Sequence, residues 1–132
     1  MANAYTTQII QEGPRNAIVK VTGILDTSNL ALIAAVDIAT LTQSGTFPAP
    51  SQVRIDYLDY SISDQLECQL FWDATTDVII MPLAGRGRMA FPNFGGLQNN
   101  AGVGKTGSIL IQTTGWASGI QVFTVILEMV KQ

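Results

Sequence analysis

At 132 residues and 14.2 kDa, the chain has the length of one compact domain with a substantial core. Hydrophobic residues make up 47% and charged residues only 13%, which implies that more surface than usual is sequestered, some of it against other subunits. Ten acidic and seven basic residues give a net charge of −3 without a basic cluster, which argues against nucleic-acid binding, and the absence of histidine removes the commonest general base and transition-metal ligand together.

Along the chain, apolar and polar residues alternate with period two between Gly, Pro and Asn clusters, the pattern of short antiparallel strands joined by turns. The opening MANAYTTQIIQEGPR lacks the basic and apolar regions of a signal peptide. The first strands are expected at 5–12 and 17–25, with Gly13 and Pro14 as the hairpin turn and Ile18 out of phase with Val19 and Val21. Residues 30–41 fit both a helical stripe (Leu30, Ile33, Ala34, Leu41) and a strand alternation (Leu30, Leu32, Ala34, Val36, Ile38), of which the strand is preferred. The two prolines of QSGTFPAP make 43–50 a loop.

Residues 53–63 are predicted to put Val53, Ile55 and Tyr57 on one face and Arg54, Asp56 and Leu58 on the other. By the same alternation, Asp56 and Asp59 point to opposite faces and form no carboxylate dyad. Residues 66–72 place Leu66, Cys68, Leu70 and Trp72 inward. Cys68, the single cysteine, cannot form an intramolecular disulfide and reads as a small core hydrophobe. With no Asn-x-Ser/Thr acceptor site either, synthesis in a reducing cytoplasm is expected.

Asp73, Thr75 and Asp77 begin like a calcium loop, but Val78 and Ala84 stand where the glycine and bidentate glutamate belong, so a polar turn is the reading. Strands at 78–81 and 86–91 follow, and Arg86 and Arg88 share one face of the second, able to meet acidic groups on a partner or to form a solvated edge. The Gly/Asn-rich stretch 93–104 is a long loop whose order comes from contacts elsewhere. Its apolar residues Phe94 and Leu97 are candidate partner anchors, or else a lid on their own sandwich.

Gly104, Lys105 and Thr106 end like a phosphate-binding loop, but Asn99 replaces the first glycine and a strand, not a helix, follows. No nucleotide, metal or other cofactor is expected. The uncharged stretch 106–127 contains Gly107, Gly115 and Gly119 and reads as two strands, 108–114 and 120–130, rather than a membrane span. Between them Trp116 sits on a loop, either folded back or offered to a partner. The last strand, IQVFTVILEMV, is continuous enough in β-branched and aromatic residues to be covered on both faces. The economical fold is a single-domain, all-β antiparallel sandwich over 1–132, of jelly-roll type.

In LFWDATTD (70–77), PLAGRGRMAF (82–91), FGGLQNNAG (94–102), TGSILIQTTGW (106–116) and ILEMVK (126–131), the chain resembles small tailed-bacteriophage virion proteins. The resemblance implies a capsid decoration or cement protein, made in the host cytoplasm and carried on the capsid surface of the virion. Its partner would be the assembled major capsid protein, bound as a homo-oligomer, with Phe94, Leu97, Trp116, Arg86 and Arg88 as contact residues. Other readings are a tail or head-completion component, a carbohydrate- or ligand-binding sandwich with Trp72 and Trp116 as stacking platforms, and a host-directed binding protein. An enzyme acting on a small-molecule substrate is the remotest of these readings.

Overall fold

The structure is a computed structural model that describes residues 3–13, 15–41 and 51–131, excluding the side chain of Phe94. The expected turn residue Pro14 and the loop 43–50 therefore lie outside the described residues. The strands are β1 (Ala4–Glu12), β2 (Asn16–Leu25), β3 (Ile33–Val36), β4 (Val53–Ile62), β5 (Glu67–Trp72), β6 (Val78–Leu83), β7 (Arg86–Ala90), β8 (Ile109–Thr114) and β9 (Gln121–Lys131). Short 3-10 turns cover Ile38–Thr40 and Pro92–Phe94, and no α-helix occurs among the described residues.

The strands build two antiparallel sheets: a large one of five strands, ordered β1-β2-β9-β4-β7, and a small one of four, ordered β3-β8-β5-β6. The pairings nest: β2 pairs with β9, β3 with β8, β4 with β7 and β5 with β6. Adding β4 to β9 and β5 to β8 completes each sheet. One core lies between the sheets. The large sheet contributes Val19, Val21, Ile55, Leu58, Phe123, Val125 and Leu127, and the small sheet Cys68, Leu70, Trp72, Ile109 and Ile111. The all-β, sandwich-like architecture expected from alternation is present.

Side-chain size sets the spacing inside this core. Gly23 lies directly across from Phe123 in the β2/β9 ladder, and a Cβ at residue 23 would overlap the Phe123 ring. The missing side chain is what admits the aromatic ring there.

The structure departs from simple alternation at identifiable places. Residues 30–41 are not one strand: only Ile33–Val36 is strand, and the Asp37 side chain accepts a hydrogen bond from the Ala39 N–H (3.0 Å), capping a 3-10 turn. In β4 the register against β9 shifts between Ile55 and Tyr57. This bulge turns Leu58 inward and Tyr57 outward, reversing the expected phase. It also leaves Asp56 and Asp59 on the same, outer side of the large sheet, not on opposite faces. Finally, β9 is not covered on both faces. Phe123, Val125, Leu127 and Met129 are buried, whereas Val122 is exposed and Thr124, Ile126, Glu128 and Val130 are half-buried.

Candidate functional site

The outer face of the large sheet is mixed: Ile24 and Val122 are exposed cross-strand neighbours there, and Ile126 stands among polar residues. Register places Thr6, Thr22, Thr124, Ser61 and Arg86 in one row across its strands, and Gln8, Lys20, Ile126, Asp59 and Arg88 in the next. Arg86 and Arg88 thus share one face, as their spacing predicts. Arg88 is fully engaged there: it donates to Asp59 Oδ2 at 2.8 Å and to Glu128 Oε2 at 2.9 Å, and its guanidinium lies 4.5 Å from the centre of the Tyr57 ring. Together these contacts fix the plane of the guanidinium. Arg86 forms no ion pair among the described residues and is exposed.

The loop anchors face inward more than their sequence context indicates. Leu97 is half-buried against the core, and its N–H and C=O both bond to Ile55, at 2.8 and 3.0 Å, forming an isolated bridge to β4. Trp116 is half-buried against the core; its backbone N–H donates to Asn29 Oδ1 (2.9 Å) and its indole N–H to the Gly119 carbonyl (3.0 Å). Both therefore pack in part against their own core. The Phe94 side chain, the third candidate anchor, lies outside the described residues. Neither loop anchor adjoins the arginine pair through any hydrogen bond among the described residues.

The small sheet presents a different outer face. Ala34, Leu110, Phe71 and Ile79 are cross-strand neighbours in sequence along the row β3-β8-β5-β6. Leu110 and Phe71 are half-buried yet not part of the core cluster, and Ile79 is 50% exposed. The next row is neutral: Gln112 donates to Gln69 at 2.7 Å, with Pro82 beyond it. The row after that pairs Thr114 with Glu67 at 3.1 Å. An antiparallel sheet with a solvated face ordinarily alternates to polar residues there. The apolar row was hidden in the sequence because Phe71, Leu110 and Ile79 are far apart along the chain and only the register brings them together.

The motifs with chemical overtones resolve into turn structure. Asp73 Oδ2 accepts from the Thr106 hydroxyl (2.7 Å), and Asp77 Oδ1 from the Ala74 N–H (3.0 Å), so both carboxylates secure the turn. Lys105 is exposed, its N–H bonds to the Gly102 carbonyl at 3.2 Å, and β8 follows. Among the described residues, no three His, Cys, Asp or Glu side chains are placed to hold a metal ion. Cys68 is fully buried, and desolvation, aided by the Glu67 charge, pushes its thiol up to about 12, which keeps it protonated and unreactive at neutral pH. No helix of the described residues is long and apolar enough to cross a membrane. No protein-family model matches the chain, and no match is found among curated proteins.

Proposed function

We propose that this protein is a non-enzymatic structural component of a bacteriophage virion that decorates or cements the capsid by binding the assembled major capsid protein. The observation that carries the reading is the apolar row of Leu110, Phe71 and Ile79 on the outer face of the small sheet, bordered by neutral glutamines. Apolar side chains aligned on a solvated sheet face mark an interaction surface rather than a core. A cement protein needs adhesive area repeated over many copies and no reactive group. The sequence resemblance described above points to the same class.

Within this reading the sandwich is a jelly roll. The support is the nested pairing of β2 with β9, β3 with β8, β4 with β7 and β5 with β6, the order obtained when one long antiparallel ribbon is rolled on itself. β1 then lies outside the roll as an added edge strand. The proposed contact is the outer face of the small sheet; Arg86 lies on the outer face of the large sheet, on the other side of the sandwich, and is not part of it. Carbohydrate stacking is less well supported, because Trp72 is only 2% exposed and cannot offer its ring to a sugar.

The test is to identify the chain in purified virions and count its copies against the coat protein. A ratio near one per coat subunit is the expected result, whereas a handful per particle would mean a tail or head-completion part. Binding of Phe71→Glu and Ile79→Lys to capsids lacking the protein locates the contact. Unchanged binding by both variants, each with a wild-type melting curve, would remove the small sheet from the interface.

A further inference from the structure

The edges of the sheets are not equally guarded. Sheet edges expose unpaired backbone groups, and proteins blunt them with charge, proline or brevity. β7 carries Arg86 and Arg88, β6 carries Pro82, and β3 is only four residues long. β1 at the remaining edge runs for nine residues, AYTTQIIQE, and its one charge, Glu12, stands at its end and is paired with Lys131. Its ladder to β2 is regular from Ala4 to Ile9, with a bulge only beyond, and Ile9 and Ile10 are 40% and 49% exposed.

Beneath this edge the sandwich is open. A groove of about 510 Å³ runs between Thr7 and Ile9 of β1 and Ala34, Val36 and Thr40 on the β3 side. Tyr5 bridges one end, its hydroxyl donating to the Ala34 carbonyl at 2.7 Å.

We propose that β1 is a self-association edge, where a second copy of this chain adds its own β1 antiparallel across a two-fold axis and joins the two large sheets into one. Charge and symmetry select this occupant. Residues 4–11 are uncharged, so pairing the strand with itself opposes no like charges. The same operation at β7 would bring together arginines of both copies. Joining β1 to β7 of another copy is heterologous and need not close. On the inner face, Thr7 and Ile9 of the second copy extend over the open groove, whose lining mixes Val19, Ala35 and Val36 with Asp37 and Thr40.

The axis relating antiparallel strands in a continuous sheet is normal to that sheet. Both small sheets therefore stay on one side, and both Leu110, Phe71 and Ile79 rows face one surface. That bivalence rests on the proposed capsid contact; the dimer does not.

Sedimentation of the purified chain over a wide concentration range tests the dimer without any capsid. A reversible dimer is expected, with Ile9→Lys and, separately, the outward-facing Gln8→Lys weakening it by about tenfold or more. Arg86→Glu, on the far edge, should leave it unchanged. Amide exchange should show β1 protected in the dimer and released in both lysine variants. A monomer at every concentration overturns the proposal, as does a dimer indifferent to both lysines. Protection of β1 that appears only on adding capsids would mean that the edge receives a strand of another protein, which also overturns it. Failure of the capsid assay with the dimer intact would reject the function and keep this interface.

Discussion

Gly23→Ala is the smallest change that probes how the large sheet sets its distance from the core. The added methyl would overlap the ring of Phe123, which is 1% exposed and held on all sides. Forcing one methyl into a well-packed core costs about 1–3 kcal/mol. Replacing glycine in an element interior returns about 0.5–1 kcal/mol by reducing the freedom of the unfolded chain. The net expectation is a loss of about 1–2 kcal/mol, which for a domain near this size lowers the melting temperature by roughly 4–8 °C. Chemical denaturation with a linear extrapolation gives the free energy directly, and the slope should stay constant if only packing has changed. The decisive measurement is the double-mutant cycle with Phe123→Leu, in which the smaller side chain makes room for the methyl. Coupling of about 1 kcal/mol or more is expected. Strict additivity, or a Gly23→Ala protein as stable as the wild type, would refute the claim that the glycine exists to seat the ring.

Further outcomes follow from other buried groups. Cys68→Ser should cost about 1–3 kcal/mol by placing a hydroxyl among apolar neighbours, and a thiol reagent should label native Cys68 only as fast as the protein opens. Because the folded thiol is raised from an ordinary 9.0 to about 12, the unfolded chain loses this proton first. The stabilising contribution is thus complete below pH 9.0 and is lost as pH rises toward about 12. Burial also raises the Tyr5 phenol, which acts in the same direction; unchanged denaturant midpoints in that window would contradict both. Lys131→Ala should destabilise by about 3 kcal/mol, since its ammonium is 2.9 Å from the Glu12 carboxylate with side-chain exposures of only 5% and 16%; a midpoint shift near zero would show the pair to be solvated. Leu97→Ala and Trp116→Ala should lower thermal stability before they affect capsid binding, and the reverse order would make them interface anchors.

Most of the inward-facing pattern was legible in sequence. Leu66, Cys68, Leu70 and Trp72 are all buried, as are Val19 and Val21 with Ile18 turned outward. Regular strands transmit side-chain direction with period two, so one apolar series identifies a whole face. The failures occurred where one residue breaks the count. The β4 bulge exchanges the faces of Tyr57 and Leu58, and alternation carries no mark of it. At 37–40 a signal was present: Asp37 is a capping residue type, and its side chain ends the strand by bonding the Ala39 N–H. The arginine pair was recognised, but not the carboxylates of Asp59 and Glu128 that hold Arg88, because they come from different strands. Cross-strand neighbours depend on register, which a single sequence does not state.

The position of β9 has a consequence for how the molecule is made. This last strand lies between β2 and β4 and pairs along nearly its whole length with each. Until residues 121–131 have left the ribosome, the β1/β2 hairpin and the β4/β7 pair have no common sheet to join. Assembly of the large sheet therefore waits on β9, and until it docks the inner residues of β2 and β4 lack their central partner. Folding dominated by such distant pairings is slow, in the range of milliseconds to seconds. The yield of folded protein will accordingly depend on how fast β9 finds its place between β2 and β4 as well as on how stable the finished sandwich is.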